Sequence, residues 1–267
     1  MSKFRSRGCV LFHGDFRQRL RNVDGIDLIL TSPPYNIGSK GKRDDGYRKL
    51  GKYDPKSFGA VRGYKDSLSE EEYQQQQRDF LTWCATMIHD NGVILYNHKN
   101  RHRKGCLVSP HEWFPRDVLV LHDEIALIRG STHNHEKSFL DPCTERLFVF
   151  KKSRKAKIYF DKQVDDFHGS VKDFWNFPII KTSQKNRHCA PYHLSFARNC
   201  IFRWCPPGGM VCDPYSGSGT TMLAAYLEGK QFVGTELMKK YFNLACHRFR
   251  DWLKNHESTG DTVQIIQ

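Results

Sequence analysis

Seven short apolar runs are spaced along this 267-residue chain, and the stretches between most of them are long enough to hold a helix. The runs are Cys9–His13, Ile26–Thr31, Gly92–Asn97, Glu124–Arg129, Arg146–Lys151, Met210–Asp213 and Gln231–Glu236. Several are continuously apolar rather than alternating, as strands covered on both faces are. Patterns of helical period lie between them. Ser69 stands as an N-cap with Glu72 in the capping-box position, and that pattern runs through Phe80, Leu81, Cys84 and Ile88 to Asn91-Gly92. Tyr192–Trp204 is stopped by Pro206-Pro207-Gly208-Gly209, and Thr220–Glu228 and Met238–Lys254 follow. Strands alternating with helices predict an α/β fold around a mostly parallel sheet. Two segments break the rhythm. Gly38–Asp66 is a long Lys/Arg- and Gly-rich loop, and Ser153–Gln184 is an irregular basic stretch holding Phe174, Trp175, Phe177 and Pro178. Long loops in compact domains tend to be functional.

The apolar share of 39% and the aromatic share of 13% exclude wholesale disorder. No apolar run approaches the ~18–20 residues that span a bilayer. The basic start Met-Ser-Lys-Phe-Arg-Ser-Arg is not followed by the apolar stretch of a secretory signal. The expected location is therefore cytoplasmic or nucleoid-associated (nuclear in a eukaryote), with no membrane and no secretion. Nine cysteines without a Cys-x-x-Cys pair read as reduced thiols, and a zinc set of His188, Cys189, Cys200 and Cys205 lacks ligand-pair spacing. A formal net charge of +13 points to a polyanionic partner.

Two loops carry chemistry, each directly after a strand. Asp213-Pro-Tyr-Ser-Gly-Ser-Gly-Thr220 leads into a helix; Gly217 and Gly219 permit a tight turn and close approach of a ligand to the backbone. It is not a P-loop, because Thr220 stands where a lysine is required. Glu236 closes the following strand at the spacing, about 20 residues, at which an acid binds ribose hydroxyls; it reads equally as a helix N-terminal charge. Thr31-Ser-Pro-Pro-Tyr-Asn36 is the second loop. Two prolines without N–H groups make either an ordinary turn or a rigid shelf whose carbonyls and whose aromatic Tyr35 suit a planar ring with an exocyclic amino group.

Together these motifs resemble the beta-class (permuted) S-adenosylmethionine-dependent amino DNA methyltransferases. Thr31–Asn36 is similar to their Asp/Asn/Ser-Pro-Pro-aromatic catalytic motif, and Asp213–Gly219 to their cofactor motif. The catalytic motif comes first, which is the permuted order. Phe12-His-Gly-Asp15 resembles the segment reaching the cofactor adenine, Glu145–Lys152 a later strand, and His193–Ala197 the segment before the cofactor strand. The resemblance implies a Rossmann-like class I methyltransferase fold: a circularly permuted seven-stranded sheet with one antiparallel strand. It places a catalytic domain over residues 1–255, with a basic insert at 38–66, a small irregular target-recognition region at 153–187 and a flexible tail at 256–267. Ser32, Pro33, Pro34 and Tyr35 become catalytic. Asp15, Thr31, Ser32, His193, Asp213, Pro214, Tyr215, Ser216, Gly217, Ser218, Gly219, Thr220, Glu236 and Leu237 become cofactor-binding. Asn36, Lys40, Lys42, Arg43, Lys181 and Lys185 become DNA contacts, while Trp175 is either core or a base contact. No metal is implied.

The implied reaction methylates an exocyclic amine of a flipped base in double-stranded DNA. Ser32 at the first motif position leans towards N4 of cytosine, as aspartate does towards N6 of adenine; an RNA or protein-amide substrate is the rival. A homodimer, with Ser69–Ile88 as either a partner face or a core face, and a separate restriction endonuclease are the open partners.

Overall fold

The computed structural model describes residues 2–36, 68–128, 140, 143–164, 171–177 and 192–257. Lys40, Lys42, Arg43, Lys181 and Lys185, the whole 38–66 insert and residues 258–267 of the tail lie outside them. Among the described residues eleven strands are formed: β1 (Lys3–Ser6), β2 (Cys9–His13), β3 (Ile26–Thr31), β4 (Ile88–His98), β5 (Arg101–Arg103), β6 (Cys106–Val108), β7 (Val120–Ile128), β8 (Thr144–Lys151), β9 (Phe174–Asn176), β10 (Met210–Asp213) and β11 (Gln231–Glu236). The helices are α1 (Phe16–Arg19), α2 (Glu70–Met87), α3 (Leu194–Trp204), α4 (Thr220–Leu227) and α5 (Lys239–Glu257), with a 3-10 turn at Pro110–Trp113.

Nine strands form one sheet in the order β1-β2-β11-β10-β3-β4-β8-β7-β9, and β5 and β6 pair separately. From β2 to β4 all neighbours are parallel; β8 then runs antiparallel between β4 and β7. The stretch from β2 to β7 is the seven-stranded sheet with one antiparallel strand that the resemblance implies, and two further strands enlarge it. β1 folds back on β2 through Arg7 and Gly8, both in left-handed conformation, and adds a second antiparallel strand; β9 adds a parallel edge to β7. β2 near the start pairs with β11 near the end, so the permuted chain closes where its halves meet.

The helices cover both faces. α3, α4 and α5 pack with the inward residues of one face, among them Phe196, Ile201, Met222 and Phe249. α2 covers the other with Tyr73, Phe80, Leu81 and Cys84, so this stretch faces the core. Its Ser69–Glu72 capping box forms as predicted. The helix ends earlier than predicted, at Met87, because β4 begins at Ile88 opposite Ile26. Gly92 is needed there: a Cβ would stand 2.7 Å from the Ile26 carbonyl oxygen. At the other end α5 runs to Glu257, past the expected tail boundary. Trp175 is core, 3% exposed against Phe177, Phe196 and Trp204, and is not available to a base. Cys200 and Cys205 are likewise buried.

The connection from β10 through α4 to β11 turns to one side of the sheet, and that from β3 through α2 to β4 turns to the other. β10 and β3 are adjacent, with Val211 opposite Leu28 and Cys212 opposite Ile29. A crevice therefore opens at their carboxyl ends, where open α/β sheets bind ligands.

Candidate active site

The loop after β10 is held by two buried carboxylates. Asp213 accepts from Thr31 Oγ1 (3.1 Å), the Tyr215 amide (3.0 Å), Thr221 Oγ1 (2.6 Å) and the Tyr192 hydroxyl (3.4 Å). Burial pushes its carboxyl up to about 6, against the pull of these donors. Glu236 accepts from the Gly217 amide (2.8 Å) and the Met238 amide (2.6 Å), and burial pushes it up to about 7. Gly217 and Gly219 take positive φ of 52° and 77°. No side chain caps α4 at Gly219, so the amides of its first turn face the loop without that partner. Arg248 reaches the Ser218 carbonyl at 2.6 Å, and Thr235 donates to the Pro214 carbonyl at 2.6 Å. Ser216 donates to the Asp213 carbonyl at 2.9 Å. Leu237, next to Glu236, is 39% exposed.

The loop after β3 lies alongside. The Tyr35 hydroxyl donates to Asn97 Oδ1 at 3.1 Å, and Glu145 Oε2 stands 3.4 Å away. Ser32 Oγ is 2.9 Å from the same hydroxyl. A phenol has one proton, so with it on Asn97 the serine is the donor in the Ser32–Tyr35 bond, and its lone pairs remain as acceptors. Asn97 is itself fixed by donating to the Arg146 carbonyl at 3.1 Å. Beneath the shelf, Tyr73 donates to the Pro34 carbonyl at 2.8 Å. Its hydroxyl lies 2.6 Å from Nε2 of His98. The same counting puts the His98 hydrogen on Nε2, leaving Nδ1 to accept the Lys99 amide at 2.8 Å. Burial holds His98 well below the usual histidine range, so the ring is neutral. It packs at 4.5 Å from the Tyr35 ring. A cleft lined by Asn97, Leu127, Ile128, Glu145, Tyr192 and His193 adjoins this cluster.

The fold thus brings Thr31–Tyr35 and Asp213–Thr220 side by side, with Glu236 and Leu237 on the neighbouring strand end. Asp15 joins that edge, because the Gly14 amide donates to the Glu236 carbonyl at 3.0 Å; its own carboxylate caps α1. Two placements bear on the expected roles. His193 caps α3 through Ser195 and lines the cleft, while its neighbour Tyr192 is the one bonded to Thr221 and Asp213. Asn36, expected to face DNA, is 3% exposed and turns its amide onto both backbone groups of Leu68, at 3.0 and 2.8 Å. Tyr73, Asn97, His98, Glu145 and Tyr192 are site residues that sequence reasoning missed.

A family model described as DNA methylase matches residues 26–247. The type II methyltransferase M.SmaI of Serratia marcescens is 25% identical, covering 91% of each chain. The DNA adenine methyltransferase YhdJ of Escherichia coli K12 is 21% identical over 99% of this chain and 90% of its own. The solved structure of the PvuII cytosine-N4-specific DNA methyltransferase superposes with a TM-score of 0.68 at 15% identity, covering 95% of this chain and 93% of that one. The match to the family model covers most of the chain, including the Thr31–Tyr35 and Asp213–Thr220 loops that meet at the crevice between β3 and β10, and the chain belongs to the N6/N4 DNA methylase family, the S-adenosylmethionine-dependent methyltransferases that act on amino groups of DNA.

Proposed function

We propose that this enzyme methylates N4 of a flipped cytosine in double-stranded DNA. The observation that carries the reading is the Ser32–Tyr35–Asn97 hydrogen-bond chain, which leaves the Ser32 oxygen as an acceptor directly beside the Asp213 loop. An exocyclic amine is a poor nucleophile because its lone pair is delocalised into the ring. Ser32 Oγ and the Pro33 carbonyl accept hydrogen bonds from its two N–H groups, draw the nitrogen towards tetrahedral geometry and free the lone pair for attack. Tyr35, held at its hydroxyl and backed by His98, stacks on the base; such stacking returns about 1–3 kcal/mol of the flipping cost.

The donor set at the cofactor end fits a nucleoside bearing an amino acid. Glu236 would accept from its ribose hydroxyls, Leu237 and the Asp15 segment would lie beside its adenine, and the Gly217–Thr220 turn at the start of α4 would receive its carboxylate. S-adenosylmethionine, when bound, supplies an electrophilic methyl carbon on a sulfonium. Asp213 fixes the loop through Tyr215 and Thr221 and does not itself exchange a proton in this scheme. Lys40, Lys42, Arg43, Lys181 and Lys185 are proposed to contact phosphates. The name of M.SmaI supports a restriction-modification setting and, with it, a separate endonuclease.

Adenine N6 is the second reading, favoured by the likeness to YhdJ. Mass spectrometry of nucleosides from unmethylated DNA incubated with enzyme and S-adenosylmethionine decides between them. N4-methylcytosine is the expected product. N6-methyladenine would remove the base assignment and keep the chemistry; no product on DNA of varied sequence would overturn both.

A further inference from the structure

The ribbon made by β5 and β6 stands apart from the main sheet, directly beyond the carboxyl end of β4. Its base is firmly held. Arg101 is 5% exposed, makes two hydrogen bonds to Glu70 (2.9 and 2.7 Å), and lies over the rings of Tyr73 (4.4 Å) and Trp113 (5.2 Å). Opposite it Val108 is 8% exposed. Arg103 pairs with the same Glu70 at 3.5 Å and donates to the carbonyl of Asn36, the residue that ends the catalytic loop. The ribbon is thus coupled to the shelf carrying Tyr35.

Its far end is built differently. Lys104 and Gly105 form a two-residue turn with φ of 50° and 80°, the left-handed pair that matches ribbon twist. Lys104, Gly105, Cys106 and Leu107 are all exposed, Leu107 at 57%. The strand register puts Leu107 opposite His102, on the face turned away from Arg101 and Val108. Leu107 is among the exposed large apolar side chains of the described residues. The stretch Lys99-Asn-Arg-His-Arg-Lys104 that leads to it carries four Lys/Arg and no acid.

We infer that the β5–β6 ribbon is a DNA-docking element, with Lys104 on a phosphate and Leu107 as the apolar wedge that fills the place vacated by the flipped base. A two-stranded ribbon fits a DNA groove, Lys supplies sequence-independent phosphate contact, and apolar wedges separate base steps. The inference rests on the DNA-methylation reading above. It commits to duplex DNA because the exposed Leu107 sits near the exposed Lys104 at the tip of a ribbon whose arginines, paired with Glu70, tether it to the catalytic loop.

Leu107→Ala and Lys104→Ala test it. Methylation is compared on a duplex carrying the site that the wild-type enzyme modifies, and on the same duplex with an abasic position opposite the target base. Leu107→Ala is expected to lower kcat/KM about tenfold on the paired duplex and to recover to within about threefold of wild type opposite the abasic position, where little pairing energy has to be overcome. Lys104→Ala is expected to flatten the slope of log Kd against log salt by about 1 for a random-sequence duplex. Equal loss of Leu107→Ala activity on both duplexes, or no loss on either, overturns the wedge. A change in self-association of Leu107→Ala in sedimentation, with DNA binding unaltered, assigns the face to a second copy of the chain and also overturns it. A wild-type enzyme inactive on every DNA overturns the methylation reading first, and this inference with it.

Discussion

The Thr31 hydroxyl donates to the Asp213 carboxylate across 3.1 Å, so the last residue of β3 is bonded to the last residue of β10. Both are fully or almost fully buried, at 0% and 1% exposure. Thr31→Val keeps the shape and removes the donor. A buried carboxylate that loses one of its donors should cost about 1–3 kcal/mol of stability, and the mutual placement of the two loops loosens with it. Urea denaturation should show the loss. Turnover should fall in parallel, whereas Thr31→Ser should keep both; a Thr31→Val enzyme of wild-type stability and rate would remove the bond from the account.

Glu236 and Asp213 give the ligand-free protein a pH signature. Both carboxyls lie above their ordinary values, about 7 against 4.5 and about 6 against 3.8, with burial as the cause. The folded state therefore binds protons that the unfolded chain has already released. Stability contributed by these groups is present at low pH and lost as pH rises from about 4 to about 7, the window set by those values. Cofactor binding should run the other way. Ribose hydroxyls donating to Glu236 favour its charged form, so affinity for S-adenosylmethionine should rise with pH through about 7. Titration calorimetry between pH 5.5 and 8.5, on the order of one point per half unit, should show proton release on binding. Glu236→Gln should weaken binding and flatten the profile; an unchanged profile would detach Glu236 from the cofactor.

The strand-end logic explains what was legible in advance. Thr31 and Asp213 end apolar runs and begin loops whose residues are contiguous, so their chemistry could be read from neighbours in sequence. Tyr35 could be read, but not what holds it: Asn97 is 62 residues away and Glu145 is 110, and only sheet order places β4 and β8 beside β3. Tyr73 reaches Pro34 from 39 residues on and presents itself in sequence only as an apolar position of an amphipathic helix. The β5–β6 ribbon left no apolar run because its strands are three residues each and its buried face pairs Arg101, stacked on aromatic rings, with the single aliphatic Val108. Asn36 misled because it continues the catalytic motif, whereas its left-handed backbone (φ 55°) turns the side chain inward to Leu68.

Gly234 in β11 is a packing requirement of the Asp213–Thr220 loop. A Cβ there would lie 2.5 Å from Ser216 Oγ and 2.8 Å from the Asp213 carbonyl oxygen. The serine is pinned to that carbonyl, so it has little room to withdraw. Gly234→Ala should cost about 1–3 kcal/mol in overpacking and weaken S-adenosylmethionine binding. Its effect on DNA affinity should be small. Equal losses in both affinities would mean that the damage spreads beyond the loop.

Tyr73 tests whether the shelf must be held from below. Tyr73→Phe removes one hydroxyl and leaves two buried groups, the Pro34 carbonyl and His98 Nε2–H, without their partner. The aromatic packing against Trp113 and the guanidinium of Arg101 is retained, so the variant should fold with a loss of about 1–3 kcal/mol. The functional effect should fall on kcat, by about tenfold for a misplaced acceptor, while the Kd for S-adenosylmethionine stays near wild type because no Asp213 or Glu236 contact changes. Tyr35→Ala, which removes the stacking ring itself, should lower kcat further and raise the KM for DNA, a split that separates the residue touching the base from the one positioning the loop. If Tyr73→Phe turned over at the wild-type rate, the Tyr73–Pro34 bond would be a fold contact with no bearing on the geometry at Ser32 and Pro33.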